Sequence, residues 1–323
     1  MKPIIQRLVK DDLKRVEREF KKNLESDVGL ISKIGEHLLY SGGKRFRPMI
    51  LILATKLCGY GGDRHVPLAS VIEFIHTASL LHDDVVDDAE LRRGNASANA
   101  LWGSEASVLV GDFLFSKSFS LMVGDGDLRI LQVISDAATK LAEGEMQELI
   151  NTSDLSLAES RYIWIVTRKT AALISAACRI GAILGGVSAE KEALLGDFGL
   201  GLGIAFQLVD DTLDYVSDEQ EFGKTIGIDL RDGKVTLPLI HTLHECTSRE
   251  RNKLEKVLFS ETVTHEDFLL VTELIKQYGG LEYTIDRAKA YVKQAKSHLN
   301  SFDKSDAKTA ILALADYVIE RRS

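Results

Sequence analysis

His82-Asp83-Asp84-Val85-Val86-Asp87-Asp88 and Gln207-Leu208-Val209-Asp210-Asp211-Thr212-Leu213-Asp214 are the stretches on which the reading of this chain turns. Each contains Asp-Asp-x-x-Asp, and each follows an apolar run, His76 to Leu81 in the first case and Ile204 to Val209 in the second. On a helix, residues four apart share a face, so Asp83 lies with Asp87 and Asp210 with Asp214. Carboxylates crowded on one face repel unless a cation sits between them. Hard oxygen donors of this kind suit Mg²⁺, which commonly takes a few carboxylates together with substrate phosphates. One acidic cluster is usually a solvated helix face. Two clusters, each closing an otherwise apolar helix, point to a metal–diphosphate site, because carboxylates there are costly without cationic partners. Two such faces meeting across a helical cavity would hold a diphosphate between metal ions.

Cations suited to a diphosphate are also present. Arg92 and Arg93 follow the first cluster within about two helical turns, and Arg offers a planar fork of donors that matches phosphate oxygens. Standing alone, the pair would read as ordinary surface charge. Ser41-Gly42-Gly43-Lys44-Arg45-Phe46-Arg47-Pro48 joins open glycine backbone to three cations, with Pro48 placed to start a helix. Helix N-termini attract phosphate; otherwise this is a basic turn. Lys169 and Thr170 begin an apolar helix, where a cation and a hydroxyl could meet a diphosphate. Phe222-Gly223-Lys224-Thr225 invites a P-loop reading, but Asp218 stands where that motif requires its first glycine, and no strand precedes it. Lys224 and Lys234, each after a glycine, fit better as mobile cations closing over a phosphate, or as plain loop lysines. Gly199 and Gly203, four apart in a helix, point to close helix packing. His241, His244 and His265 have no carboxylate or cysteine partner at metal spacing and read as structural or exposed.

Composition narrows the classes. The 323 residues suffice for one large domain or two ordinary ones. Only four prolines interrupt the chain, which permits long helices. A net charge of −8 argues against a nucleic-acid partner. Three distant cysteines, Cys58, Cys178 and Cys246, form neither a metal spacing nor a disulfide framework, so a reducing, cytoplasmic setting is expected. Met1 to Arg15 is charged and lacks the apolar core of a signal peptide. The most membrane-like run, Thr170 to Ser188, carries Arg179 near its middle. An Arg there costs roughly 2.5–3.5 kcal/mol on insertion scales, so a buried helix is expected and no transmembrane segment.

Almost everything reads as helix. Leu68, Val71, Ile72, Ile75, Ser79 and Val86 mark an apolar stripe leading into the first aspartates; Leu109, Phe113, Phe119 and Met122 mark another helix, and Ile130 to Ile150 a third. Ser156-x-x-Glu159 and Thr247-x-x-Glu250 have the form of capping boxes. Ser305 is placed to cap a last helix ending near Arg322. Gly61-Gly62, Gly124 to Asp127, Gly185-Gly186 and Gly279-Gly280 are breaks. No stretch alternates with period two, so no sheet is expected. The expectation is one all-α domain over 1–323 around a central cavity.

Taken together, these segments resemble the trans-prenyltransferases, the polyprenyl diphosphate synthase family, from Gly42 to at least Pro238. Within it the chain is most similar to the octaprenyl diphosphate synthases, across Ile72 to Arg93 and Ser107 to Phe113. The resemblance implies an all-α isoprenoid-synthase fold, homodimeric, with Asp83, Asp84, Asp87, Asp210, Asp211 and Asp214 serving Mg²⁺ directly or through water. It implies that Lys44, Arg47, His76 and Arg93 hold isopentenyl diphosphate. Arg92, Lys169, Thr170, Gln207, Lys224 and Lys234 then face an allylic diphosphate, and Arg92, Arg93, Lys169 and Lys224 are implied to be catalytic together with the six aspartates. The expected reaction is sequential head-to-tail condensation, with farnesyl diphosphate as primer and a product for quinone side chains. Bulky aromatics one to two turns below the first aspartates stop growth early in the family. Here Ala78 and Ser79 occupy those levels, so a longer product is expected, with transient membrane contact for its release. Phe74, a turn deeper, could narrow the passage. Alternatives are a geranylgeranyl synthase, a terpene cyclase, an HD-type metal phosphohydrolase using His76 and His82-Asp83, and a regulatory subunit that has lost its aspartates. The hydrolase leaves the second motif unexplained, and the subunit reading conflicts with two intact motifs.

Overall fold

The computed structural model describes residues 2–40, 45–92, 94–216, 227–260 and 262–321. They are almost wholly helical. Helices α1 (Pro3–Leu24), α2 (Gly29–Tyr40), α3 (Phe46–Leu57) and α4 (His65–Val86) precede two short strands, β1 (Leu91–Arg92) and β2 (Asn95–Ala96). Then come α5 (Ala98–Trp102), α6 (Ser104–Asp125), α7 (Leu128–Ile150) and α8 (Glu159–Val166), a π-helical turn (Thr167–Ala171), α9 (Ala172–Gly185) and α10 (Ala189–Leu213). The chain closes with α11 (Ile228–Arg231), α12 (Leu237–Glu245), α13 (Ser248–Leu258), α14 (His265–Gln277), α15 (Gly280–His298) and α16 (Asp306–Glu320). The hairpin corrects the expectation of no sheet: Leu91 pairs with Ala96 and Arg92 with Asn95. Strands of two residues are too short to display an alternation.

The chain groups into two compact units, residues 1–138, 173–199 and 298–314 in one, and 139–172, 200–297 and 315–323 in the other. In the first, α4 packs against α1, α3 and α6. It is apolar nearly all round, as a core helix must be. Leu68, Val71, Ile72, Ile75 and Ser79 are buried, and so are Val66, Phe74, Ala78 and Leu81. Val86, at the last turn, is instead exposed. Phe74 stacks on Phe20 of α1 with centroids 4.2 Å apart. Fully burying such a side chain contributes about 1.5–3 kcal/mol.

The stripe on α6 divides differently from expectation. Met122 is buried, while Leu109 and Phe119 are exposed. The buried face is built of Ser107, Val110, Gly111, Leu114, Ser118 and Met122. Its small residues admit α4 closely: a Cβ on Gly111 would lie 2.2 Å from His82 Nε2. Likewise a Cβ on Gly181 of α9 would lie 2.5 Å from Ala54 Cβ of α3, and one on Gly199 of α10 would lie 2.8 Å from Cys178 Sγ. The packing expected of Gly199 is therefore present.

In the second unit α12 packs on α8 and α14, and a Cβ on Gly280 would lie 2.4 Å from the Pro238 carbonyl oxygen. Thr247 and Glu250 form their capping box. Ser156 and Glu159 do not: Ala158 is the N-cap of α8, the Ser156 hydroxyl donates to Asp154 at 2.6 Å, and Glu159 accepts from Tyr283 and pairs with Arg287. Thr264 and Asp267 form a box with the shorter acid that the usual signature omits. In the first unit, Ser305 accepts the Lys308 amide at 3.1 Å. The last helix ends at Glu320; Arg322 lies outside the described residues. Gly126, Gly186 and Gly279 adopt φ of 77°, 63° and 70°, the left-handed conformation with which helices often close. The run Thr170 to Ser188 divides between the π turn and α9, a helix of 14 residues. Among the described residues, α6 and α10 are by length and composition the helices able to cross a bilayer, with 33% and 61% of their most apolar windows buried.

Candidate functional site

The first aspartates sit where α4 stops. Asp83 and Asp84 lie in its last turn, and the Asp87 amide bonds to the Asp83 carbonyl at 2.8 Å, keeping the two in helical register. Asp88 turns the chain at φ 48°. Asp84 faces inward and is only 1% exposed. The hairpin brings Arg92 back over it: Arg92 Nε donates to Asp84 Oδ1 at 2.8 Å, and Nη2 also bonds that oxygen. It is thus a change of chain direction, not helical spacing, that joins this cation to the carboxylates. Asn99 Nδ2 braces the bend by donating to the carbonyls of Asp84 at 3.1 Å and Ala89 at 3.0 Å.

A basic group lies on the same unit. Arg47 Nη1 is 3.0 Å from His76 Nε2. Arg45 is left-handed, φ 48° and ψ 41°, a strained conformation for a residue with a Cβ; its Nη1 donates to buried Glu73 at 2.7 Å. Ala78 and Ser79 are both buried, and Ser79 donates to the His76 carbonyl at 2.9 Å. Lys44, Arg93 and Lys224 lie outside the described residues.

The second aspartates end α10 in the other unit. The Asp214 amide still bonds to the Asp210 carbonyl, at 3.2 Å, but the three carboxylates have different partners. Asp210 pairs with Arg321, whose guanidinium lies 4.3 Å from the Phe206 ring centroid. Asp211 accepts from the Tyr162 hydroxyl and, at 2.7 Å, from Gln207 Nε2. Gln207 in turn accepts from Thr170 at 2.8 Å. Asp214 accepts the backbone amides of Ile228 at 3.2 Å and Asp229 at 3.1 Å, at the start of α11.

Lys169 and Thr170 do not begin a regular α-helix, as the sequence leads one to expect. They occupy the π turn, where the Ala172 amide reaches back to the Thr167 carbonyl. Glycine at 144 makes room for it: a Cβ there would lie 2.6 Å from the Lys169 backbone nitrogen. Lys169 Nζ pairs with Glu145 at 2.7 Å and also with Glu148. Lys234 Nζ lies 3.2 Å from Asp232.

Electrostatics explain what these ends require. Neither α4 nor α10 carries a basic residue in its last turn, and a helix C-terminus is itself partly negative. Burial pushes Asp211 up to about 7; Glu148 and Asp214 add to the rise, while the bonds from Tyr162 and Gln207 oppose it. Burial likewise pushes Asp214 up to about 6, against the amides of Asp229 and Ile228. Asp229, also buried and facing the charges of Asp214 and Asp211, is held well above the usual carboxylate range. Such crowding favours a hard cation. Among the described residues no three acidic, His or Cys side chains gather as a ready metal cage.

Sequence reasoning missed Tyr162, Asp229, Glu145, Glu148, Glu73 and Arg321. Tyr162 had a usable signal in its place on α8, the helix that leads into the segment of Lys169 and Thr170. The others are brought in by tertiary packing.

The polyprenyl synthetase family profile matches residues 28–275. The chain is 41% identical over 319 residues to octaprenyl diphosphate synthase of Escherichia coli (strain K12), covering 98% of each. It superposes with a TM-score of 0.95 on a polyprenyl synthase from Caulobacter crescentus CB15 complexed with calcium and isoprenyl diphosphate, at 42% identity and covering 99% of this chain and 98% of that one. A decaprenyl diphosphate synthase from Rhodobacter capsulatus matches with a TM-score of 0.92, 38% identity and 98% of each chain covered.

Proposed function

The chain belongs to the polyprenyl synthetase family, and from that premise we propose that it is a long-chain all-trans polyprenyl diphosphate synthase. It adds isopentenyl diphosphate head-to-tail to an allylic diphosphate, with farnesyl diphosphate as primer and a product of octaprenyl class for quinone side chains. The observation that carries this reading is the pair of aspartate clusters that close α4 and α10, each kept in helical register and each with buried carboxylates, Asp84 in the first and Asp211 and Asp214 in the second. The octaprenyl name of the Escherichia coli relative and the calcium and isoprenyl diphosphate of the Caulobacter structure support it.

Mg²⁺ held by Asp83, Asp84, Asp87, Asp210, Asp211 and Asp214 would neutralise charge on the departing diphosphate. Lys44, Arg47, His76 and Arg93 hold isopentenyl diphosphate; Arg92, Lys169, Thr170, Gln207, Lys224 and Lys234 hold the allylic diphosphate. Once the allylic C–O bond ionises, the isopentenyl double bond attacks the cation, and a proton leaves to the released diphosphate. Apolar walls keep water from capturing the cation. Ala78 and Ser79, both small, leave the growing tail room along α4. The enzyme acts in the cytoplasm as a homodimer and touches the membrane transiently when the product leaves.

The test is incubation of purified protein with labelled isopentenyl diphosphate, farnesyl diphosphate and Mg²⁺, with products resolved by carbon number. A discrete long product is expected, lost in Asp83→Asn and Asp210→Asn. Folded wild-type protein that elongates nothing would overturn the proposal.

A further inference from the structure

The reaction as described assigns nothing to Tyr162, yet the structure gives this side chain a specific partner. It is buried midway along α8, 5% exposed, and its hydroxyl donates to Asp211 Oδ2. The other oxygen of the same carboxylate accepts from Gln207, which accepts from Thr170. A carboxylate offers about four lone-pair positions on its two oxygens. With one donor on each oxygen, the plane of the group is fixed and the remaining positions are left to a cation or its water.

We infer that Tyr162 is a positioning residue for Asp211, orienting that carboxylate so that its unused lone pairs meet the divalent cation. The inference rests on the reading of the second aspartate cluster as a metal site. Three features separate this contact from ordinary core satisfaction. The acceptor is one of the six aspartates of the paired motifs rather than a backbone carbonyl. The chain Tyr162–Asp211–Gln207–Thr170 spans α8, α10 and the π turn, so it carries the orientation from two sides. Thr170 and Gln207 are themselves residues assigned to the allylic diphosphate, so the same bonds tie the cation's carboxylate to the anion's binding groups. Outer partners that hold a ligating group in this way typically change metal affinity by about 10–100-fold when removed.

The test titrates Mg²⁺ calorimetrically into full-length protein saturated with farnesyl thiodiphosphate, an allylic diphosphate that ionises too slowly to turn over. Tyr162→Phe keeps the ring and loses the hydroxyl, and its Mg²⁺ affinity should fall about tenfold or more. Tyr283→Phe removes another tyrosine–carboxylate bond, at 2.6 Å to Glu159 in the same unit, and should bind Mg²⁺ as the wild type does. Asp211→Asn should lose affinity at least as far as Tyr162→Phe. If Asp211→Asn is impaired while folded Tyr162→Phe is not, the positioning role is wrong and the metal site stands. Unchanged affinity in Asp211→Asn overturns the site reading itself. Should Tyr162→Phe fail to fold by circular dichroism, Gln207→Leu carries the test from the other oxygen, and wild-type affinity there overturns the inference.

Discussion

Glu73 has no part in the proposed chemistry, yet it fixes the geometry of residues that do. Its carboxylate, buried within α4, takes the guanidinium of Arg45 at 2.7 Å. That bond helps hold Arg45 left-handed at the start of α3, one residue after Lys44 and two before Arg47. Removing one partner of a buried ion pair leaves the other uncompensated, at a cost of about 3 kcal/mol. Glu73→Gln should therefore lower the urea midpoint and raise KM for isopentenyl diphosphate while leaving KM for the allylic substrate near its original value. Equal changes in both KM values would show that the pair does not act on this basic segment in particular.

At the scale of elements, the π turn is the least regular part of a helical run from Glu159 to Gly185. An inserted residue of this kind redirects side chains and is frequent at functional sites. The glycine opposite it, Gly144, admits the backbone of Lys169. Alanine there would ordinarily strengthen a helix by about 0.5–1 kcal/mol, but overpacking costs about 1–3 kcal/mol. Gly144→Ala should thus lower the thermal midpoint and weaken allylic diphosphate binding; a raised midpoint would show that the contact yields easily. In the other unit, Asp12 links three elements: Lys56 of α3 lies 2.9 Å away, and His65 at the start of α4 lies 3.2 Å away. Burial works to raise its pKa, but the bonds from Lys56 and His65 prevail and hold it below the usual value of 3.8. A depressed folded value means the contribution is present above 3.8 and is lost as pH falls through the lower, folded value. Asp12→Asn should cost about 1–3 kcal/mol at neutral pH, and the difference from wild type should shrink below about pH 3 in chemical denaturation. A difference that does not change with pH would mean packing, not charge, is responsible.

At the scale of the molecule, α6 buries a face of small and apolar residues and leaves further large apolar ones outside. Leu109 is 67% exposed, Phe119 45% and Val123 69%. An apolar strip of this kind is characteristic of a protein–protein surface, and a second copy of the chain is the occupant that the proposed homodimer requires. The double variant Leu109→Asp/Phe119→Asp should elute as a monomer by light scattering, with its helical content intact. A dimer that survives both charges would move the interface elsewhere.

What the sequence by itself determined was periodic or local. Helical content, the extent of α4 up to its aspartates, the glycine breaks, the Thr247–Glu250 cap and the two acidic clusters can all be read from spacing, because each depends on residues within a turn or two of one another. Tertiary structure alone decided how the carboxylates are partnered. Arg92 reaches Asp84 through a hairpin too short to leave an alternation. Tyr162, Gln207, Arg321 and the first amides of α11 divide Asp210, Asp211 and Asp214 among them. Phe74 turns to Phe20, and Leu109 turns out to solvent, because neighbouring helices fill or leave space at those levels. Burial and partner choice depend on which distant surfaces meet, and no periodicity within one segment encodes that.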